Sequence, residues 1–170
     1  MMRFKSAQAL QVATLAEGSL VGRLDDFQFA LDSGRVFGFR FSKGMFGRIG
    51  GAPAEALKLL GKELAYVADE GAIDWSGVAR QPVEGRAWAV DYRGTKVMTR
   101  RGETVGTVED VVLALDPARL TGLLLDGERI VELGDAVSLG RDAVVVADPT
   151  VPRALEVEDT WWRRLRQRDS

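Results

Sequence analysis

Three stretches of this chain hold residue types that could do chemistry. Asp25-Asp26 and Glu109-Asp110 are acidic pairs, and paired carboxylates can hold a divalent cation or divide acid and base work. Lys43 to Gly51 (KGMFGRIGG) combines glycines with Lys43 and Arg48, which are the ingredients of a phosphate cradle. Trp161-Trp162-Arg163-Arg164-Leu165-Arg166-Gln167-Arg168 holds two tryptophans and four arginines with no acid. Trp with Arg is the pairing enriched at protein hot spots, membrane interfaces and nucleic-acid surfaces.

Each stretch also has a plainer reading. Neighbours on a strand point to opposite faces, so an adjacent acid pair does not converge on one ion. We read Asp26 and Asp110 as structural carboxylates that bond free backbone N–H groups at a strand junction. The glycine-rich stretch lacks the Gly-Lys-Ser/Thr ending of a phosphate loop. It reads as a flexible β-loop whose Met45, Phe46 and Ile49 suit a protein contact better than a phosphate. In the tail, Asp159-Thr160 could cap a short helix with Trp161 and Leu165 on one face. The alternative is that both tryptophans fold back on the body while the arginines stay solvated.

Composition closes many other routes. The 170 residues are 46% apolar and 28% charged, as in a globular protein. They include no histidine and no cysteine. Disulfides, thiol nucleophiles, Cys/His zinc sites and Ser-His or Cys-His dyads are therefore excluded. Twenty-three basic and 25 acidic residues leave a net charge of -2, too even for a global nucleic-acid or membrane field. No run of about 18 apolar residues exists to span a bilayer. Gln8, Gln11 and Thr14 interrupt the stretch from Ala7 to Ala16, which makes it a poor signal-peptide core. Cytoplasm is the expected compartment.

The elements that must position these residues are written twice. Gly18 to Phe41 aligns without a gap on Gly102 to Leu125, at an offset of 84. Val21-Gly22 falls on Val105-Gly106, Asp26 on Asp110, and Gly38 on Gly122. A second block, Leu60-Gly61 and Val67-Ala68-Asp69, aligns on Leu139-Gly140 and Val146-Ala147-Asp148 at an offset of 79. The change of offset places five extra residues in the first copy, most naturally within Lys43 to Gly51. An internal repeat of this length is a repeated supersecondary unit.

Most patterns within each unit have period two. Phe27, Phe29 and Leu31 alternate, as do Phe37, Phe39 and Phe41, which predicts half-buried strands. Asp32-Ser33-Gly34-Arg35 and Asp116-Pro117-Ala118-Arg119 are turn chemistry between them. Val111 to Leu115 and Leu120 to Leu125 are more continuously apolar, which predicts deeper burial in the second unit. Pro53 at the start and Gly61 at the end predict one short helix over Ala54 to Leu60. Residues 76–93, with Pro82 and several glycines, read as a linker. Trp75 and Trp88 flank it and are expected to pack the units together.

These residues resemble a known family. Gly18-x-x-Val21-Gly22-x-x-x-Asp26, followed by a hairpin and Leu60-Gly61-Lys62-Glu63-Leu64, resembles a PRC-barrel domain. Gly102-Glu103-Thr104-Val105-Gly106-Thr107-Val108-Glu109-Asp110 and Leu139-Gly140-Arg141-Asp142 resemble it more closely. The family includes a domain of the photosynthetic reaction-centre H subunit and the C-terminal half of the ribosome maturation factor. The resemblance implies small β-barrels that act through protein contacts, with no catalytic residues.

The expected fold is all-β, with two tandem small PRC-type β-barrels and one short helix in the first repeat. The units are expected at 1–75 and 94–150, with the linker at 76–93 and a Trp/Arg tail at 151–170. The expected function is a non-enzymatic protein-binding adaptor or assembly module, with no cofactor, metal or catalytic residue. Its candidate contacts are Trp161, Trp162, Arg163, Arg164 and Arg166 in the tail, with Met45, Phe46 and Ile49 in the loop. A ribosome-associated role with RNA is the alternative that the maturation-factor resemblance implies. It would have to act through the tail, and any membrane contact would be peripheral. An enzyme built on Asp, Glu, Lys, Ser, Thr or Tyr is the least favoured reading. Self-association is left open.

Overall fold

A computed structural model describes residues 2–77, 83–126, 129–147 and 153–154. The first repeat opens with a short strand, β1 (Met2–Arg3), and one helical turn, α1 (Phe4–Ala7). Strands β2 (Gln11–Thr14), β3 (Leu20–Ala30), β4 (Val36–Lys43) and β5 (Arg48–Pro53) follow. A 3-10 turn at Ala54–Ala56 leads into β6 (Leu57–Leu60) and β7 (Leu64–Val67). The second repeat restates this order. It runs through β8 (Arg86–Trp88), α2 (Ala89–Tyr92), β9 (Lys96–Thr99), β10 (Thr104–Leu115), β11 (Ala118–Leu125) and β12 (Arg129–Glu132). A 3-10 turn at Leu133–Asp135, β13 (Ala136–Leu139), β14 (Ala143–Val146) and β15 (Arg153–Ala154) complete it.

The protein is mostly β, in two similar sheets, one of them a half-barrel. Among the described residues the first sheet runs β5-β4-β3-β2-β7-β6, and the second β13-β14-β9-β10-β11-β12-β15. In each, the long strand carries its hairpin partner on one edge. On the other edge it carries the strand that follows the opening helical turn, β2 or β9. β2 and β9 in turn pair in parallel with β7 and β14.

The repeats exchange their first strands. β1 leaves its own sheet and pairs antiparallel with β10, Met2 opposite Leu113 and Arg3 opposite Val112. Its counterpart β8 pairs antiparallel with β3, Gln28 opposite Trp88 and Phe29 opposite Ala87. The two hairpins meet at Arg35 and Arg119, which are equivalent residues and form an isolated antiparallel bridge. An antiparallel pairing of equivalent residues is what a two-fold relation between the repeats produces. The Leu120 N–H donates to the Gly34 carbonyl beside it, at 2.7 Å.

Burial follows from this exchange. One hydrophobic cluster contains residues of both repeats, Phe4, Phe27 and Phe29 together with Val111, Leu113 and Leu123. Tyr92 wedges between them. Its ring meets Phe29 edge-on at 5.2 Å, and its hydroxyl donates to the Gly140 carbonyl at 3.0 Å. Phe4 meets Phe27 edge-on at 5.0 Å. Each fully buried aromatic contributes about 1.5–3 kcal/mol, so separating the units would sacrifice several such terms. The period-two burial expected of β3 is incomplete for the same reason. Phe27 and Phe29 are buried, but so are Gln28 and Ala30, because β8 and α2 pack along that half of the strand. In β11, Gly122 to Leu125 are buried on both faces, as the continuous apolar run predicts.

Several expectations are corrected. The helix expected over Ala54 to Leu60 is a single 3-10 turn, and Leu57–Leu60 is a strand paired with β7. Gly61 is not a helix terminator. It closes the β6–β7 hairpin, its N–H donating to the Leu64 carbonyl at 2.9 Å. A Cβ at Gly61 would sit 2.8 Å from that oxygen, and one at Gly140 would sit 2.5 Å from the Ala143 oxygen. Close approach of backbone therefore explains why the Leu-Gly pair recurs. Helical turns instead head both repeats, as α1 and α2. Residues 86–92, expected to lie in a linker, form β8 and α2.

Trp88 does join the repeats, as part of β8. Trp75 does not. It lies over Gly22 and Gly50 of its own sheet, where a Cβ at Gly50 would come within 2.6 Å of the indole.

Candidate functional site

The five extra residues of the first repeat lengthen the β4–β5 hairpin. Its ladder extends to a last pair, Lys43 opposite Arg48. Four residues then turn the chain, with Gly44 and Gly47 both at positive φ. Only glycine adopts that backbone without a Cβ penalty, so Met45 and Phe46 are carried between two glycines at the very tip. Met45 is 95% exposed and Phe46 98%. Neither side chain can reach the core from a tip held out by a paired ladder.

Beneath the tip sits a cationic and aromatic collar. The Lys43 ammonium lies 5.4 Å from the Trp75 ring centre, and the Arg48 guanidinium 5.9 Å. Lys43 also pairs with the Glu70 carboxylate at 2.9 Å. Trp75 is itself fixed by the adjoining chain, since Gly51 and Asp74 exchange both backbone hydrogen bonds. Ile49, grouped with Met45 and Phe46 in the sequence, sits one step down the ladder opposite Ser42 and is half-buried. Met45 and Phe46 therefore form the tip without it. Trp161, Trp162, Arg163, Arg164 and Arg166 lie outside the described residues.

The acidic pairs are structural. Asp26 is fully buried. Its Oδ1 accepts the N–H of Phe27 at 2.8 Å and that of Val90, from the other repeat, at 3.2 Å. Asp110 accepts the Lys5 N–H at 3.0 Å. Lys5 and Val90 hold equivalent places in α1 and α2, so each aspartate anchors the exchanged segment of the other repeat. Desolvation by burial raises the Asp26 carboxyl to about 7, outweighing the N–H donors and the nearby Arg40, which lower it. Desolvation likewise raises Asp110. Asp25 pairs with Arg40, whose guanidinium also reaches the Asp26 Oδ2 at 3.4 Å and stacks 4.7 Å over Trp88, so a strand irregularity between Leu24 and Asp26 lets both carboxylates meet one cation. Among the described residues no three Asp or Glu side chains gather into a metal site.

A shallow cleft of about 290 Å³ beside β8 was not legible in the sequence. Arg86 stacks 3.6 Å over Phe37 there and donates to the Gln28 Oε1 at 3.3 Å. Its Arg86 and Trp88 come from β8, which reaches β3 only through the exchange, so no spacing could have placed them beside Phe37 and Pro53. Among the described residues no helix is long and apolar enough to cross a membrane.

The element order, the reciprocal aspartates and the recurrent Leu-Gly hairpin describe one unit built twice. Residues 89–151 match the PRC-barrel domain. The match begins at the first residue of α2 and takes in β9 to β14 of the second sheet. The first sheet restates the PRC-barrel order element by element, which suggests a second copy. No curated protein matches the chain.

Proposed function

We propose that this protein is a non-enzymatic adaptor made of two fused PRC-barrel units, which docks a protein partner through the Met45–Phe46 tip. The observation that carries the reading is the exposure of those two side chains on a five-residue extension. Leaving a Phe or Met in water forgoes about 1.5–3 kcal/mol of burial. Met and aromatic residues are enriched in the buried centres of protein interfaces. Lys43 and Arg48 would form the polar rim around such a contact. The tail, with Trp161 and Trp162 among four arginines, has the composition of a second contact.

Affinity capture from the native host with quantitative mass spectrometry tests this. Three baits are compared, namely the full chain, M45S/F46S, and a chain ending at Glu158. The adaptor reading expects a discrete protein set that the full chain retains and M45S/F46S loses. An unchanged set from M45S/F46S would remove the tip from the function. The truncated bait decides the tail separately.

A further inference from the structure

The outer face of the first sheet carries an apolar row that the second sheet lacks. Strand register places Leu20 opposite Ala13, Ala13 opposite Tyr66, and Tyr66 opposite Leu59. The four residues thus form one line across β3, β2, β7 and β6. Ala13 is buried and Tyr66 half-buried, so the exposed apolar surface of the line lies at its two leucine ends. Leu20 is 59% exposed and Leu59 53%, with Leu15, 58% exposed, just beyond the end of β2. The second repeat supplies an internal control. The same register there reads Thr104, Met98, Val145, Ser138, and Leu15 corresponds to Arg100. Two copies of one fold have diverged at these positions, and only the first keeps leucines at both ends of the row.

We infer that this face is a homodimer interface, occupied by the same face of a second copy of the chain. Two features favour a copy over another partner. The first is charge complementarity. Exposed Arg23 flanks the row on one side, opposite Gln11. Exposed Glu17, in the turn from β2 to β3, flanks it on the other. A two-fold axis lying along the row sets each leucine against its own copy. It also sets Arg23 against Glu17 of the second molecule, twice. Lys58, next to Leu59 in β6, is turned back to the Glu55 carbonyl at 2.7 Å. The second feature is closure. A chain with one such face forms an isologous pair and stops, whereas apolar rows on both repeats would propagate. The dimer would carry two Met45–Phe46 tips, and a bivalent adaptor gains avidity without new contacts.

Sedimentation velocity on the full chain over a concentration series tests the interface. The wild type is expected at twice the 18.6 kDa of the chain. L20T/L59S places the second repeat's own residues at the matching register, so the fold already accommodates them. This variant is expected to sediment as the single chain, or to dimerise at least about tenfold more weakly. R23E is expected to weaken the pair, and R23E/E17R to restore it. That charge swap removes no apolar contact, so it reads the interface even if L20T/L59S were to fold poorly. A wild type that stays single at every concentration would overturn the inference and leave the face to a different partner. A dimer that survives both L20T/L59S and R23E would also overturn it, because its contact would lie elsewhere.

Discussion

The buried carboxylate of Asp26, in the first repeat, accepts the backbone N–H of Val90, in the second, at 3.2 Å. The contact recurs in reverse, where Asp110 holds the Lys5 N–H. Each repeat thus contributes an aspartate and receives an anchor. The residue most suggestive of acid or metal chemistry is a clamp between the two halves.

Replacing that clamp separates its hydrogen bonds from its charge. Asp26→Ala leaves the N–H groups of Phe27 and Val90 without their acceptor. At about 1–3 kcal/mol for each of the two buried orphans, the expected loss is about 2–6 kcal/mol. Asp26→Asn keeps an oxygen facing both donors and should lose about 1 kcal/mol or less. Urea denaturation followed by tryptophan fluorescence reads the difference as a shift in midpoint.

The same residue makes stability depend on pH. Burial raises the Asp26 carboxyl from 3.8 to about 7. The folded state therefore holds this proton more tightly than the unfolded chain does. The resulting stabilisation is fully present below about pH 4 and is lost as pH rises through about 7. Asp110 contributes in the same direction. The urea midpoint of the wild type should fall relative to that of Asp26→Asn, which does not titrate, as pH rises across that window. Parallel curves would show that Asp26 titrates normally.

Strand exchange predicts an effect in the wrong place. Removing residues 1–7 takes away β1 and the Lys5 N–H, which dock on β10, together with Phe4, which packs on Phe27. Hydrogen exchange should therefore rise at Val112 and Leu113, more than 100 residues away in sequence, more than at β2, the next strand of the truncated repeat. Local opening of this kind reports lost contacts directly. Faster exchange confined to the first sheet would contradict the exchange.

Much of this was legible in the chain. The paired identities at Gly22/Gly106, Asp26/Asp110 and Gly61/Gly140 announce the duplication, and the structure supplies a physical reason for the last two. The exchange was not legible. β1 and β8 are two and three residues long, too short to show a period. Leu57 to Leu60 misled because Pro53 and Gly61 bracket it as they would a helix, while the pairing that makes it a strand comes from β7. Trp75 was grouped with Trp88 by proximity to the connection, yet two glycines without side chains, Gly22 and Gly50, are what receive it. At the candidate site, the sequence groups Met45, Phe46 and Ile49 in one glycine-rich loop, and the structure places the first two at its tip. The sequence could not separate Ile49, whose half-burial depends on how far the ladder runs.

The most direct test of the adaptor reading puts a photoreactive phenylalanine analogue at position 46 in the native host, with the same analogue at exposed Thr104 as control. After irradiation, docking through the tip predicts one or a few discrete adducts between position 46 and another protein, absent from the Thr104 control. Adducts indistinguishable between the two positions, or none at position 46, would contradict it.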